Sequence, residues 1–216
     1  MGISQMLMKL AEGMATSCWI FGITLLFSLP LGMVIAFGRM SKKRIVQGIT
    51  KIYISIMRGT PLMLQLMVVY FGPYYLFGIK ISPFYRNIAV VIGFVLNYAA
   101  YFAEIYRSGI ESMPVGQYEA AEILGYSKSQ TFLHIILPQV IKRILPSVTN
   151  EVITLVKDTS LAFVIAVSEM FTIAKALASS QTSMVPYVAA GIFYYVFNYV
   201  VAWVMELFEK KLNYYR

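Results

Sequence analysis

The chain has 216 residues, 59% of them hydrophobic and only 13% charged, with 18 Lys+Arg against 10 Asp+Glu for a formal net charge of +8. That balance excludes a soluble domain, which could not bury so much apolar surface, and a disordered chain, which is poor in aromatics and rich in charge. It also argues against a nucleic-acid partner, because there is no polar surface to carry the Lys and Arg, and leaves an all-α integral membrane protein.

Uncharged runs locate the spans, since about 20 apolar residues cross the hydrocarbon core. The first is expected over 14–38. Its uncharged stretch far exceeds the ~7–15 apolar residues of a signal peptide, so it should stay as a span. Cys18, the single cysteine, lies within it and reads as a buried small hydrophobe, with no disulfide or Cys-based metal site open to it. The second span is expected over 59–79, between Arg58 and Lys80, with Pro61 near its start and Pro73 near its end. Both prolines are compatible with a spanning helix. Arg58 has two readings, a headgroup anchor or the partner of an acidic group in a gate. The third span is expected over 87–108 and the fourth over 144–168, the latter interrupted by Glu151, Lys157 and Asp158. The fifth is expected over 183–207.

Five spans place the termini on opposite sides. The side holding the 39–58 connection also receives Arg107, Lys128, Lys142, Arg143, Lys210, Lys211 and Arg216, which makes 13 of the 18 cations. The other side has Lys9, Lys80, Arg86 and Lys175, and Lys157 falls within a span. By the positive-inside rule the N-terminus is outside and the C-terminus cytoplasmic. Tyr70, Tyr74, Tyr75, Tyr194, Tyr195, Tyr199, Tyr214 and Tyr215 then read as interfacial belts.

Between spans three and four lies a cytoplasmic loop, 112–139. Gln117 to Leu124 are helix formers, Gly125 is a helix terminator and Ser127 an N-cap. Phe132, Ile135 and Ile136 form an apolar stripe that Pro138 is expected to stop. The expectation is two short helices lying roughly at right angles around Gly125 on the membrane face.

Glu119-Ala120-Ala121, three residues, Gly125, nine residues, then Ile135-x-Leu137-Pro138 resembles in full the EAA loop of ABC-importer membrane subunits. Arg58-Gly59-Thr60-Pro61 is similar to the corresponding segment in permeases of polar amino acid uptake. The resemblance covers nearly the whole chain. It implies a bacterial cytoplasmic (inner) membrane permease whose EAA loop docks as a coupling helix on one of two ATPase subunits. It also implies a second permease copy, identical or similar, an extracytoplasmic amino acid-binding protein, and transport by alternating access. Mg-ATP is then bound by the partner ATPase. This chain has no G-x-x-x-x-G-K-[ST] phosphate loop, needs no cofactor of its own and carries no catalytic residue. A surface helix with Glu119 and Glu122 beside the small Ala120 and Ala121 can approach a partner closely, and Gly125 lets the backbone turn.

Ionisable groups at membrane depth are costly and mark function. Asn97, Tyr101 and Glu104 share one helical face, as do Glu151, Thr154 and Asp158, with Lys157 and Ser160 beside the second group. Two such stripes facing each other would line a wet cavity for a small zwitterion. Asp158 or Glu104 would accept from an α-ammonium, and Asn97 or Ser160 would hold an α-carboxylate. An internal ion pair of Lys157 with Asp158 or Glu104 that only fixes packing is the alternative. Three acids against one lysine tilt the expected substrate towards arginine, lysine or histidine. His134, the lone histidine, has no companion ligand for a metal. The rival readings are an ion-coupled secondary transporter, which would show internal repeats not found here, and a homo-oligomeric channel.

Overall fold

The structure is a computed structural model that describes residues 2–212; Arg216, Tyr214 and Tyr215 lie outside the described residues. Among the described residues it is predominantly helical, with short non-helical connections and no strand. The first helix, α1, runs Ile3–Arg39 and buries Gly13, Ser17, Thr24, Ser28, Gly32 and Ala36, small residues at four- and seven-residue spacing. That stripe lets backbones approach, as small residues do in membranes. A Cβ on Gly32 would sit 2.8 Å from Phe102 Cβ and 3.1 Å from the Ala99 carbonyl. Cys18 lies off this stripe and is exposed on the isolated chain. The expectation of burial fails because the buried positions are fixed by helix face, and not by membership of an apolar run.

The next helix was not foreseen. α2, Arg44–Gly59, occupies what hydropathy reads as a basic connection. Its apolar residues Ile45, Ile49, Ile52 and Ile56 recur on one face, while Arg44, Lys51 and Arg58 recur at seven-residue spacing on another. Averaging over the window cancels the two faces. The chain then turns by 110° into α3, Leu62–Phe77. Thr60, preceding Pro61, is extended at φ −125°, ψ 148°, as the residue before proline should be. Pro61 is the N-cap of α3, and Gly78, left-handed at φ 67°, ends it.

The central helix, α4, spans Pro83–Glu111 and is capped by the Ser82 side chain. It packs along α1 and also meets α2, α3 and α7. Phe94, Tyr98 and Phe102 are fully buried along it. The short α5, Val115–Ile123, follows, and Gly125 turns the chain with φ 80°. Ser127 and Gln130 form a reciprocal capping box on α6, Lys128–Gln130. A π-helical turn, Thr131–Ile136, then passes directly into α7, Leu137–Asp158. Pro138 therefore does not stop the helix. It stands in the first turn of α7 behind a widened turn, where its missing N–H and its ring are accommodated.

Past Asp158 the helix tightens to a 3₁₀ segment, Thr159–Ile165, ending at Ala166 with φ 58°. After a 60° bend comes α8, Met170–Gln181, and after Thr182 at φ 49° comes α9, Val185–Leu212. The bend thus falls at the far end of the fourth expected span, 144–168. The cause is local: the 3₁₀ segment and the left-handed Ala166 redirect the backbone. Glu169, fully buried, starts α8 anew by accepting from the Phe171 and Thr172 amides at 2.6 and 2.7 Å.

Three helices, α1, α4 and α9, are each long and apolar enough to cross a membrane, and the count reaches five if each bent pair is one span. Two of the expected belt tyrosines are interior. Tyr70 is buried, and Tyr194 donates to Glu169 at 3.1 Å. Tyr74, Tyr75, Tyr195 and Tyr199 are exposed.

Candidate functional site

Three elements bring the intramembrane polar residues together: α4, α7 and the α2–α3 break. Glu104 accepts a two-pronged contact from Arg107, Nε to Oε1 at 3.2 Å and Nη2 to Oε2 at 2.6 Å. Such forks are the strong form of carboxylate recognition. Arg58, at the end of α2, reaches the same Glu104 at 3.8 Å and lies 5.3 Å from the centre of the Tyr101 ring. Of the two readings for Arg58, the geometry places it on the acid. Tyr101 in turn neighbours Tyr98, with ring centres 6.2 Å apart, and Tyr98 donates its hydroxyl to Asp158 at 2.7 Å. A continuous polar seam therefore runs from Arg107 through Glu104, Arg58, Tyr101 and Tyr98 to Asp158. Glu151 lies in electrostatic reach of both Arg58 and Asp158.

Asn97 has a different environment. Its amide donates to the Met57 carbonyl at 3.1 Å and to Gln65 Oε1 at 2.9 Å. Gln65 donates to Met57 O and to Thr60 at both carbonyl and hydroxyl. Both amide donors of Asn97 are thus engaged by the α2–α3 break. Among the described residues no ion pair joins Lys157 to Asp158 or Glu104, and Lys157 is exposed on the isolated chain. Ser160 gives its hydroxyl to the Lys157 carbonyl at 2.8 Å. Tyr98 and Gln65 escaped the sequence reading. Tyr98 sits beside Asn97 on a neighbouring face, and its partner Asp158 is 60 positions away. The only available signal was a hydroxyl in an otherwise apolar stretch.

The second constellation is the loop that follows the C-terminal end of α4. Glu119 and Ala120 on α5 are exposed, Ala121 turns inward and is buried, and Ile123 and Leu124 are 87% and 73% exposed. Pro61 and Pro138 are exposed, while Ile135 and Leu137 are half-buried. Two ties fix this loop to the spans. Gln117 and Gln139 exchange amide hydrogen bonds at 2.9 and 2.8 Å, holding α5 to α7. Arg143 of α7 donates to the Ser112 carbonyl at the end of α4 at 3.1 Å. Behind them Met113, His134, Ile135, Pro138 and Lys142 border a cavity of about 960 Å³.

Comparison with known proteins places this geometry. Residues 28–214 match the family model described as binding-protein-dependent transport system inner membrane component. The chain is 38% identical to the L-cystine transport system permease protein TcyL of Bacillus subtilis, over 98% of this chain and 90% of that protein. It is 37% identical to the arginine transport system permease protein ArtQ of the same organism, over 94% and 91%. A putative glutamine permease, GlnP of Rickettsia bellii, is 34% identical over 97% and 95%. Among solved structures, an amino acid ABC transporter crystallised with histidines superposes with a TM-score of 0.85 at 30% identity, covering 94% of both chains. The MetNI methionine transporter shares the fold at TM-score 0.74 and 15% identity, covering 99% of this chain and 100% of that one. ATP hydrolysis in such systems resides in a separate subunit, and the membrane subunit is not an enzyme. The chain belongs to the binding-protein-dependent transport system inner membrane components, as a multi-pass permease subunit of the ABC transporter kind whose relatives are named for amino acids.

Proposed function

We propose that this permease imports a polar, basic L-amino acid (arginine, lysine or histidine) through a path lined by Glu151 and Asp158, with its N-terminus outside and its C-terminus in the cytoplasm. The observation that carries the transport reading is the pair of ties at the loop. The exposed α5 is held to α7 by Gln117–Gln139, and α7 is held to α4 by Arg143–Ser112. These are the helices that bear Asp158 and Glu104. A partner ATPase that moves α5 therefore moves the polar seam. The exposed Ile123 and Leu124, flanked by Glu119 and Glu122, suit a protein groove better than an anionic lipid surface. A second permease copy, identical or similar, two ATPases and an extracytoplasmic binding protein complete the assembly.

The basic side chain follows from the charge left uncommitted. Arg107 and Arg58 form ion pairs with Glu104, whereas Asp158, which accepts from Tyr98, and Glu151 form none among the described residues, so these two are the acids left to pair with a cation, against the single exposed Lys157. The test is ATP-driven uptake in liposomes carrying the permease, its ATPase and its binding protein. Losing one charge-assisted hydrogen bond is worth about 1.5–3 kcal/mol, or roughly 10–100-fold. Asp158→Asn should lower arginine uptake by that factor and glutamine uptake far less. Equal loss for both amino acids, or faster glutamine than arginine uptake by the unaltered protein, would refute the basic assignment.

A further inference from the structure

At the end of α4 remote from the coupling loop lies a cavity of about 510 Å³ bordered by Thr16 and Trp19 of α1, Arg86 and Asn87 of α4, and Ser168 at the second break. Arg86 is 25 residues before Glu111, about 37 Å along the helix at 1.5 Å per residue. Its guanidinium is half engaged. Nη1 donates to the Ala166 carbonyl at 3.0 Å, the carbon lies 5.9 Å from the Tyr70 ring centre, and the buried Nε has no hydrogen-bond partner. Arg107 on the same helix shows what a guanidinium of this chain can hold. There Nε and Nη2 grip a carboxylate in a fork. A buried donor without an acceptor is unfavourable, and an arginine beside a polar cavity offers a planar, bidentate site for a carboxylate.

We propose that this cavity is an outer subsite in which Arg86 receives the α-carboxylate of the incoming amino acid before it reaches Asp158. The hydroxyls of Thr16 and Ser168 and the amide oxygen of Asn87 are acceptors for the α-ammonium. Seating the carboxylate on the guanidinium acts directly on the group that holds Ala166, the left-handed residue at the break before α8. The subsite rests on the amino-acid reading of the permease but not on the choice of a basic side chain.

Trp19 borders the cavity, and Trp203 is the only other tryptophan, so a Trp203→Phe background reports on the subsite by fluorescence. The detergent-solubilised permease chain, free of the ATPases and the binding protein, is titrated with L-arginine, L-glutamine and L-cystine, and with agmatine, which is arginine without its carboxylate. The expected result is saturable Trp19 quenching by at least one amino acid, none by agmatine, and at least a tenfold weaker response in both Arg86→Gln and Arg86→Met. Asp158→Asn should keep the quenching while losing uptake. Quenching by glutamine but not arginine would leave the subsite standing and overturn the basic-substrate reading instead. Absence of quenching by every amino acid, equal quenching by agmatine, or unchanged affinity in the folded Arg86→Gln variant would overturn the subsite.

Discussion

Glu104 shows how unequal two ion pairs on one carboxylate can be. The Arg107 fork is short and both side chains are largely shielded, whereas Arg58 stands at 3.8 Å with 44% of its side chain exposed. Exposed, long pairs contribute about 0–1 kcal/mol, while hydrogen bonds to charged groups reach about 1.5–3 kcal/mol. Arg107→Gln should therefore lower the melting temperature of the detergent-solubilised protein by several degrees, and Arg58→Gln by a degree or two at most. A larger loss from Arg58→Gln would mean that the shorter contact is not the stronger one. The spacing of Asn97, Tyr101 and Glu104 was legible from helical periodicity alone. Their partners were not. Periodicity says which residues share a face, but Met57, Gln65 and Asp158 come from other helices. A one-dimensional pattern could not reveal that the Asn97 amide is consumed by the α2–α3 break.

Among elements, the long apolar ones were easy to see and the bent ones were not. Helices α1, α4 and α9 declare themselves by length and hydropathy, whereas α2 divides its residues between an apolar and a cationic face and averages to a loop. Pro138 misled in the other direction. Its power to end a helix is local, and the π turn ahead of it removes the conflict. The α2–α3 break depends on the buried amide of Asn97, with two hydrogen bonds of about 1 kcal/mol each and a desolvation penalty for whatever is left unpaired. Asn97→Ala should destabilise the protein by about 2–3 kcal/mol and Gln65→Ala by less, since Gln65 is more open to water. Denaturation of the two variants in the same detergent would show the order, and a reversed order would place the strength of the latch in Gln65.

For the whole molecule, the coupling loop, the central helix and the polar seam form one mechanical train. The EAA pattern and its glycine could be read from the chain. The Gln117–Gln139 exchange could not, because it joins residues 22 apart across a turn. If that train transmits the ATPase stroke, Gln117→Ala with Gln139→Ala should leave ATP hydrolysis within about twofold of normal while uptake falls at least tenfold. Glu119→Lys should instead weaken assembly with the ATPase. Retention of full transport by the double variant, measured as amino acid moved per ATP hydrolysed, would show that the stroke travels by another route.

The position of α4 between the two broken spans has a mechanical consequence. Near its middle and loop-side end it holds the first break, through Asn97 to Met57 and Glu104 to Arg58. Near its opposite end it holds the second, through Arg86 to Ala166. A stiff rod fastened to one hinge at each end behaves as a seesaw: tilting it to slacken either hinge tightens the other. Under the proposed transport function, mutual exclusion of inner and outer openings would need no signal passed between two gates, because both would hang from the same helix.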